Sequence, residues 1–327
     1  MPVSQPVSQP VSQPVSRTVS RSAPLPLRPL LTIGLAAASW GTAGAVAARL
    51  NQIGGLGPIA VSCWRFALGA LLLLAARPFL RRSAAAPGRT PKSRAQLAAL
   101  LGTGVLMACF QTCYLAAVDF AGLALGTTAT LGAAPLLTAL GARVVLGERI
   151  SRRGAVTIVL AVTGLALLAL GGGSGGSASR PLLGLLCALG SAAGSAAINL
   201  LGQVQARTGS GGHPYDRALV GFAVGGVCLL LLVAVSGPAV SGPLLPGPHR
   251  WGETVALLCY LGAVPTALAY ALFFSALRVV RATTVSVVMM LEPVAALALA
   301  VGLLGEHLTL AAGCGTAVLL AAVALLD

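Results

Sequence analysis

Two charged residues stand inside apolar stretches, where charge is expensive: Glu292 and Arg65. Glu292 lies roughly ten residues into its stretch, about 15 Å from one end at 1.5 Å per helical residue. On insertion scales an ionised acid at the centre of a bilayer costs about 2.5–3.5 kcal/mol. A carboxyl so placed lowers that cost by taking up a proton, by pairing, or by facing a water-filled cavity. The first and last of these suit proton or cation transport. The alternative is a structural glutamate bonded to a nearby Thr or Tyr. Pro293 follows and lacks a backbone donor, which predicts a bent helix and a free Met289 carbonyl beside the acid. Arg65, about 10 Å from its nearer end, suits a bidentate clamp on carboxylate or phosphate. Its bland alternative is snorkelling towards headgroups.

Other polar side chains share these stretches: Trp40, Thr42, Gln111, Tyr114, Asn199, Gln203, Tyr270 and Thr284. Polar groups are costly against lipid, so these should face inward, lining a cavity or bonding between helices. Asn199 and Gln203 lie one helical turn apart. Pro135 and Pro293 are candidates for helix bends or gates. Glu148 and Glu306, at the ends of their stretches, are candidates for helix-end or gate contacts.

The elements that must position these residues are membrane helices. Of 327 residues, 57% are hydrophobic and 9% charged, whereas soluble domains carry about 25% charged residues. The mean hydropathy is +0.91. A span needs about 20 apolar residues. Ten stretches qualify, near 30–50, 58–76, 95–118, 122–146, 154–170, 181–204, 217–236, 254–276, 281–304 and 308–326. The cations alternate between them. Arg17, Arg21, Arg28, Arg77, Arg81, Arg82, Arg89, Lys92, Arg94, Arg149, Arg152, Arg153, Arg207, Arg217, Arg278 and Arg281 fall on one side, sixteen in all. Only Arg49, Arg180 and Arg250 fall on the other. The positive-inside rule makes the first side cytoplasmic, with both termini there, as an even span count requires. The expected location is the plasma (inner) membrane. The net charge of +14 is thereby accounted for, and nucleic-acid binding is excluded for want of a basic face with aromatic or polar readers.

Residues 2–16 repeat Pro-Val-Ser-Gln, and residues 1–28 read as a disordered tail. The Gly/Ser-rich segment 171–180 reads as a flexible linker between a first five-helix repeat, 29–170, and a second, 181–327. The halves share spacings. Pro135 precedes Glu148 by thirteen residues, as Pro293 precedes Glu306. Tyr114 precedes Thr127 by thirteen, as Tyr270 precedes Thr283. Five spans is an odd number, so the second half inserts upside down relative to the first. Such inverted repeats place a substrate site near the midplane where the halves meet. The predicted fold is an all-α integral membrane protein of ten transmembrane helices in two inverted five-helix repeats.

These residues resemble the EamA branch of the drug/metabolite transporter superfamily. The likeness is carried by Ser39-Trp40-Gly41, Pro58…Arg65-Phe66, Pro135…Leu146-Gly147-Glu148-Arg149 and Leu291-Glu292-Pro293…Leu304-Gly305-Glu306, and covers about residues 30–327. It implies an all-helical carrier of small metabolites, amino acids or drugs, often working outward. The chain departs from the pattern at Ala134, where the second repeat has Glu292, and at Gly190-Ser191, where a Trp-Gly pair is missing.

Rival functions fare worse. A serine hydrolase built on Ser191, Ser195 or Ser286 lacks a base, because His213, His249 and His307 lie at loops or span ends. The same positions argue against a catalytic metal, so an enzyme is not expected. Cys63, Cys109, Cys113, Cys187, Cys228, Cys259 and Cys314 all lie in apolar stretches without a CxxC pair and read as small core residues. The Gly-rich segment is no phosphate loop, so direct drive by ATP is excluded and no cofactor is expected. A channel would need a repeated filter or charge ring. A non-transporting scaffold or accessory subunit is the main alternative. The expected function is therefore secondary transport, outward and coupled to protons. The partners are the lipid bilayer, a small-molecule substrate and protons, with room for a homodimer.

Overall fold

The computed structural model describes residues 27–83, 94–148, 151–171, 180–208, 214–237, 243–247, 250–304 and 309–325. All regular structure among them is helical. In chain order the helices are α1 (Leu27–Gly54), α2 (Pro58–Ser83), α3 (Arg94–Ala121), α4 (Leu123–Val145), α5 (Arg152–Gly171), α6 (Pro181–Arg207) and α7 (Pro214–Ser236). There follow α8 (Trp251–Gly262), a π-helical segment (Ala263–Leu268), α9 (Ala269–Ala276), α10 (Ala282–Val288), α11 (Leu291–Leu304) and α12 (Leu310–Ala324).

Among the described residues eight helices are long and apolar enough to cross a membrane, counting Trp251–Ala276 and Ala282–Leu299 each as one. α5, at 20 residues, and α12, at 15, make up the ten stretches expected from sequence but fall outside the eight. They pack along each other, and Ile158, Leu165 and Leu319 close their contact. The helical path begins at Leu27, so Arg28, assigned from sequence to the tail, is in α1. The rest of the tail, Gly/Ser segment 172–179, Glu306 and the three histidines lie outside the described residues.

α3 against α6 is the most extensive helix pair, and α4 also packs on α6. α1 crosses α11 at Gly41. A Cβ there would stand 2.6 Å from the Glu292 carbonyl oxygen and 2.8 Å from the Ala295 Cβ. Only glycine permits that approach, which is how small residues drive packing in lipid, where helices gain no hydrophobic advantage from associating. Between α3 and α4 the chain reverses at Gly122, whose φ of 85° lies in the region open to glycine.

Two spans are interrupted. Pro265 has no amide hydrogen to donate, and the span slips into the π pattern around it. The next span breaks between α10 and α11. Here the Met290 amide bonds to the Val287 carbonyl at 3.0 Å, and the Glu292 amide to the Met289 carbonyl at 3.0 Å. The Met289 carbonyl is thus occupied, against the sequence expectation. The cause is that Pro293 stands in the first turn of α11, where a proline removes no intrahelical bond.

The core is aromatic at its centre: Phe66 meets Phe222, and Tyr270 meets Phe222 and Phe273. Outward, Leu31, Leu35, Leu71, Val144 and Leu231 are exposed, as helices solvated by lipid require. Arg217, read from sequence as a loop cation, is instead buried at the start of α7. Its guanidinium lies 5.4 Å from the Phe274 ring centroid and donates to the Gly202 carbonyl at 3.2 Å.

Candidate functional site

The interrupted spans and the helices around them enclose a cavity of about 230 Å³. Its lining reaches the end where α1 finishes and α2 begins, at Ala47 and Pro58. Its floor is near the middle of the spans, at Asn199, Tyr270 and Glu292.

Each polar lining group has a positioning element. Glu292 sits in the first turn of α11, where the unpaired amides and positive end of the helix favour a carboxylate. Arg65 on α2 donates from Nε to the Thr266 Oγ1 at 3.3 Å, so the π segment fixes the guanidinium. No ion pair within 4.0 Å joins Arg65 to Glu292 among the described residues. Acid and base share one cavity, and neither is spent on the other.

Gln111 on α3 donates from Nε2 to the Ser62 hydroxyl at 2.9 Å, and Ser62 donates to the Pro58 carbonyl at 2.9 Å. The Tyr114 hydroxyl bonds the Thr127 hydroxyl at 3.1 Å. Trp40 stands edge-on to Tyr270, with centroids 5.0 Å apart, and to Phe273, at 5.6 Å. Asn199 on α6 has no exposed surface, and neither its Oδ1 nor its Nδ2 has a partner among the described residues. An unpaired amide at a cavity floor is costly and is relieved by a polar ligand.

Seven sequence candidates therefore meet at one cavity: Glu292, Arg65, Trp40, Gln111, Tyr114, Asn199 and Tyr270. Two do not. The Gln203 side-chain oxygen accepts from the Ala282 amide at 2.9 Å and ties α6 to the start of α10. Thr284 lines a smaller pocket at the opposite, basic end. Thr42 bonds the Tyr260 hydroxyl at 2.8 Å, joining α1 to α8. Glu148 pairs with Arg207, which also donates to the Leu146 carbonyl at 3.2 Å, so α4 and α6 are latched at the basic end. Pro135 lies inside a continuous α4, and the residue before it, Ala134, reaches the cavity as Glu292 does.

Ser62, Ser195, Thr130, Phe110 and Phe273 also line the cavity without having been singled out as binding residues. A signal was present for two of them. Ser62 is three residues before Arg65 and Ser195 four before Asn199, so each shares a helix face with a stronger candidate. Among the described residues no group of His, Cys, Asp and Glu is placed to hold a metal ion.

Residues 27–170 and 182–326 each match the EamA-like transporter family. A protein of Bacillus subtilis (strain 168) named Uncharacterized transporter YwfM is 27% identical over 290 residues, covering 89% of this chain and 90% of its own. A solved structure, titled only as the crystal structure of a protein, matches with a TM-score of 0.73. It covers 91% of this chain and 97% of its own at 19% identity, a likeness of fold. Fold, cavity and likeness define a multi-pass membrane transporter. The chain belongs to the EamA-like transporter family.

Proposed function

We propose that the protein is a secondary carrier that exports small metabolites, amino acids or drugs across the plasma (inner) membrane by alternating access, coupled to protons through Glu292. The observation that carries this reading is the pairing of Glu292 and Arg65 on one cavity with no ion pair between them. A cargo with an anionic group for the guanidinium and a donor for Asn199 or the carboxylate suits that lining. The aromatic wall of Trp40, Tyr270 and Phe273 suits an apolar body beside those groups.

The carrier has ten spans in two inverted halves, 29–170 and 181–327, with both termini cytoplasmic. The two family matches, one per half, support that division. So does the meeting of Tyr114 with Tyr270, and of Ala134 with Glu292, at one cavity. With the basic end cytoplasmic, the Ala47 and Pro58 end of the cavity faces outward, and the Glu148–Arg207 pair stands on the inner side. Exchange of a proton on Glu292 couples cargo release to return of the carrier.

The test is flux in proteoliposomes under an imposed pH gradient, screening amino acids, small amines and dyes. Saturable, gradient-dependent flux of one class is expected, and E292Q should insert normally yet lose the dependence on the gradient. Full coupled transport by E292Q refutes the role of Glu292. Absence of flux for every class favours a scaffold.

A further inference from the structure

The main cavity and the smaller pocket at the basic end, of about 80 Å³, are separated by a thin layer. On α4, Ala134 lines the cavity and Ala139 the pocket, about 7.5 Å apart along the helix. At the break in the ninth span, Met289 lines the cavity and Val287 the pocket. Thr138, Val288 and Met290 lie between these limits in the chain, at 0%, 2% and 1% exposure. They form a septum, and the break between α10 and α11 runs through it.

The third side of the septum is α6, which runs alongside α4 in the same direction. Thr130 donates to the Ala188 carbonyl at 3.4 Å, a Cβ on Gly141 would meet the Leu200 side chain, and Arg207 donates to the Leu146 carbonyl at 3.2 Å. That register sets Thr138 within one turn of the level of Asn199. Both residues are fully buried. Neither the Thr138 hydroxyl nor either amide atom of Asn199 has a hydrogen-bond partner among the described residues. Elsewhere Thr103 and Thr163 donate to the carbonyl four residues back, at 2.9 and 2.8 Å. Thr138 leaves that local bond unmade. Unpaired polar groups buried at one level are costly, and the cost is recovered in a state that hydrates or ligates them.

We infer that the basic-end pocket is the far end of the cargo path, and that Thr138 joins Asn199 as a polar lining residue exposed when the septum opens towards that end. This rests on the alternating-access reading. The break supplies the hinge, because a few residues at element ends can absorb the change in backbone angles. Thr138 offers a donor and an acceptor, and Asn199 both of each, so they suit water or a neutral hydrogen-bonding group of the cargo.

The test places single cysteines in the full chain, T138C and V288C, from two sides of the septum. R152C, at an exposed position beginning α5, marks the basic face. Membrane-impermeant trimethylammonium methanethiosulfonate is applied to right-side-out and to inverted vesicles. Peptide mass mapping reads each site, so the native cysteines remain. T138C and V288C are expected to be modified only from the face that modifies R152C. Modification from neither face, with full modification after denaturation in detergent, overturns the septum, as does equal modification from both. A second measurement is the unfolding midpoint of T138V, which removes an unpaired hydroxyl at nearly constant shape and should raise it by about 2 °C. A lowered midpoint shows the hydroxyl to be bonded and overturns its role. The reagent needs neither cargo nor proton gradient. Labelling without flux therefore sinks the proton-coupled exporter and spares the septum, and flux without labelling does the reverse.

Discussion

The third and fourth spans of the first half differ from their counterparts in the second. α3 runs unbroken for 28 residues and α4 for 23, with Pro135 in its interior. In the second half one span slips into a π segment at Pro265, and the next is cut between α10 and α11, just ahead of Glu292 and Pro293. Both prolines follow a cavity-lining residue, but only the second follows a carboxylate. The continuous helix offers Ala134 nothing, and Ala134 needs nothing. The broken one gives Glu292 a helix start, a position worth about 0.3–1 kcal/mol to an anion and up to about 2 when partly buried. The two matched repeats thus differ in build, the first regular and the second interrupted where it carries the charge.

Exchanging the two residues before the prolines should break this comparison most severely. The double variant A134E/E292A keeps one carboxyl on the cavity but moves it into the middle of an intact helix. Gradient-driven flux is expected to fall about a hundredfold, equivalent to about 2.7 kcal/mol. Flux preserved in proteoliposomes would mean that the helix start is irrelevant to the acid. Next in size is Gly41→Ala, which forces α1 away from the backbone of Glu292. Overpacking of this kind costs about 1–3 kcal/mol, read as a lowered unfolding midpoint. Gly34→Ala on the same helix meets only the Leu291 Cδ1 at 3.9 Å and should be nearly silent. Equal midpoints for the two variants would remove the crossing from the account.

Asn199→Leu sharpens the case for the cavity floor. The amide is unpaired, so its loss should leave stability unchanged within about 1 kcal/mol, whereas cargo affinity should drop about tenfold. A destabilised protein with unaltered affinity would make Asn199 a packing residue. The smallest effect belongs to Glu148→Gln. Its partner Arg207 is 47% exposed, and such pairs contribute about 0.2–1 kcal/mol. The midpoint should move by a degree or two and less in high salt. A large change insensitive to salt would show the latch to be more than a surface pair.

Much of the site was legible because lipid leaves polar side chains few places to go. Glu292, Arg65, Gln111 and Asn199 had to turn inward, and they turned to one place. Gln203 and Thr284 obeyed the same pressure but found other destinations, a backbone amide and a second pocket, since inward is not a single direction. The breaks were not legible. A helix cut in two keeps the same residue periodicity on either side, so only the prolines marked the places. Pro293 predicts a bend but opens a helix, and the sequence around Pro265 does not set its π segment apart. The partnership of Glu148 with Arg207 joins residues far apart in sequence, and charge alone did not select it. The ten stretches were set by apolar length and supported by the alternating cations; α5, at 20 residues, and α12, at 15, fall outside the eight described helices that are long and apolar enough to span.

The unpaired acid and base on one cavity have an electrical consequence. With the carboxyl ionised the two side chains cancel, and a cargo that is neutral overall adds nothing. With the carboxyl protonated, the guanidinium leaves one uncompensated positive charge. Each elementary charge carried through the full field contributes about 2.3 kcal/mol per 100 mV. Under the proposed coupling through Glu292, the voltage sensitivity of turnover reports how many protons travel with each cargo.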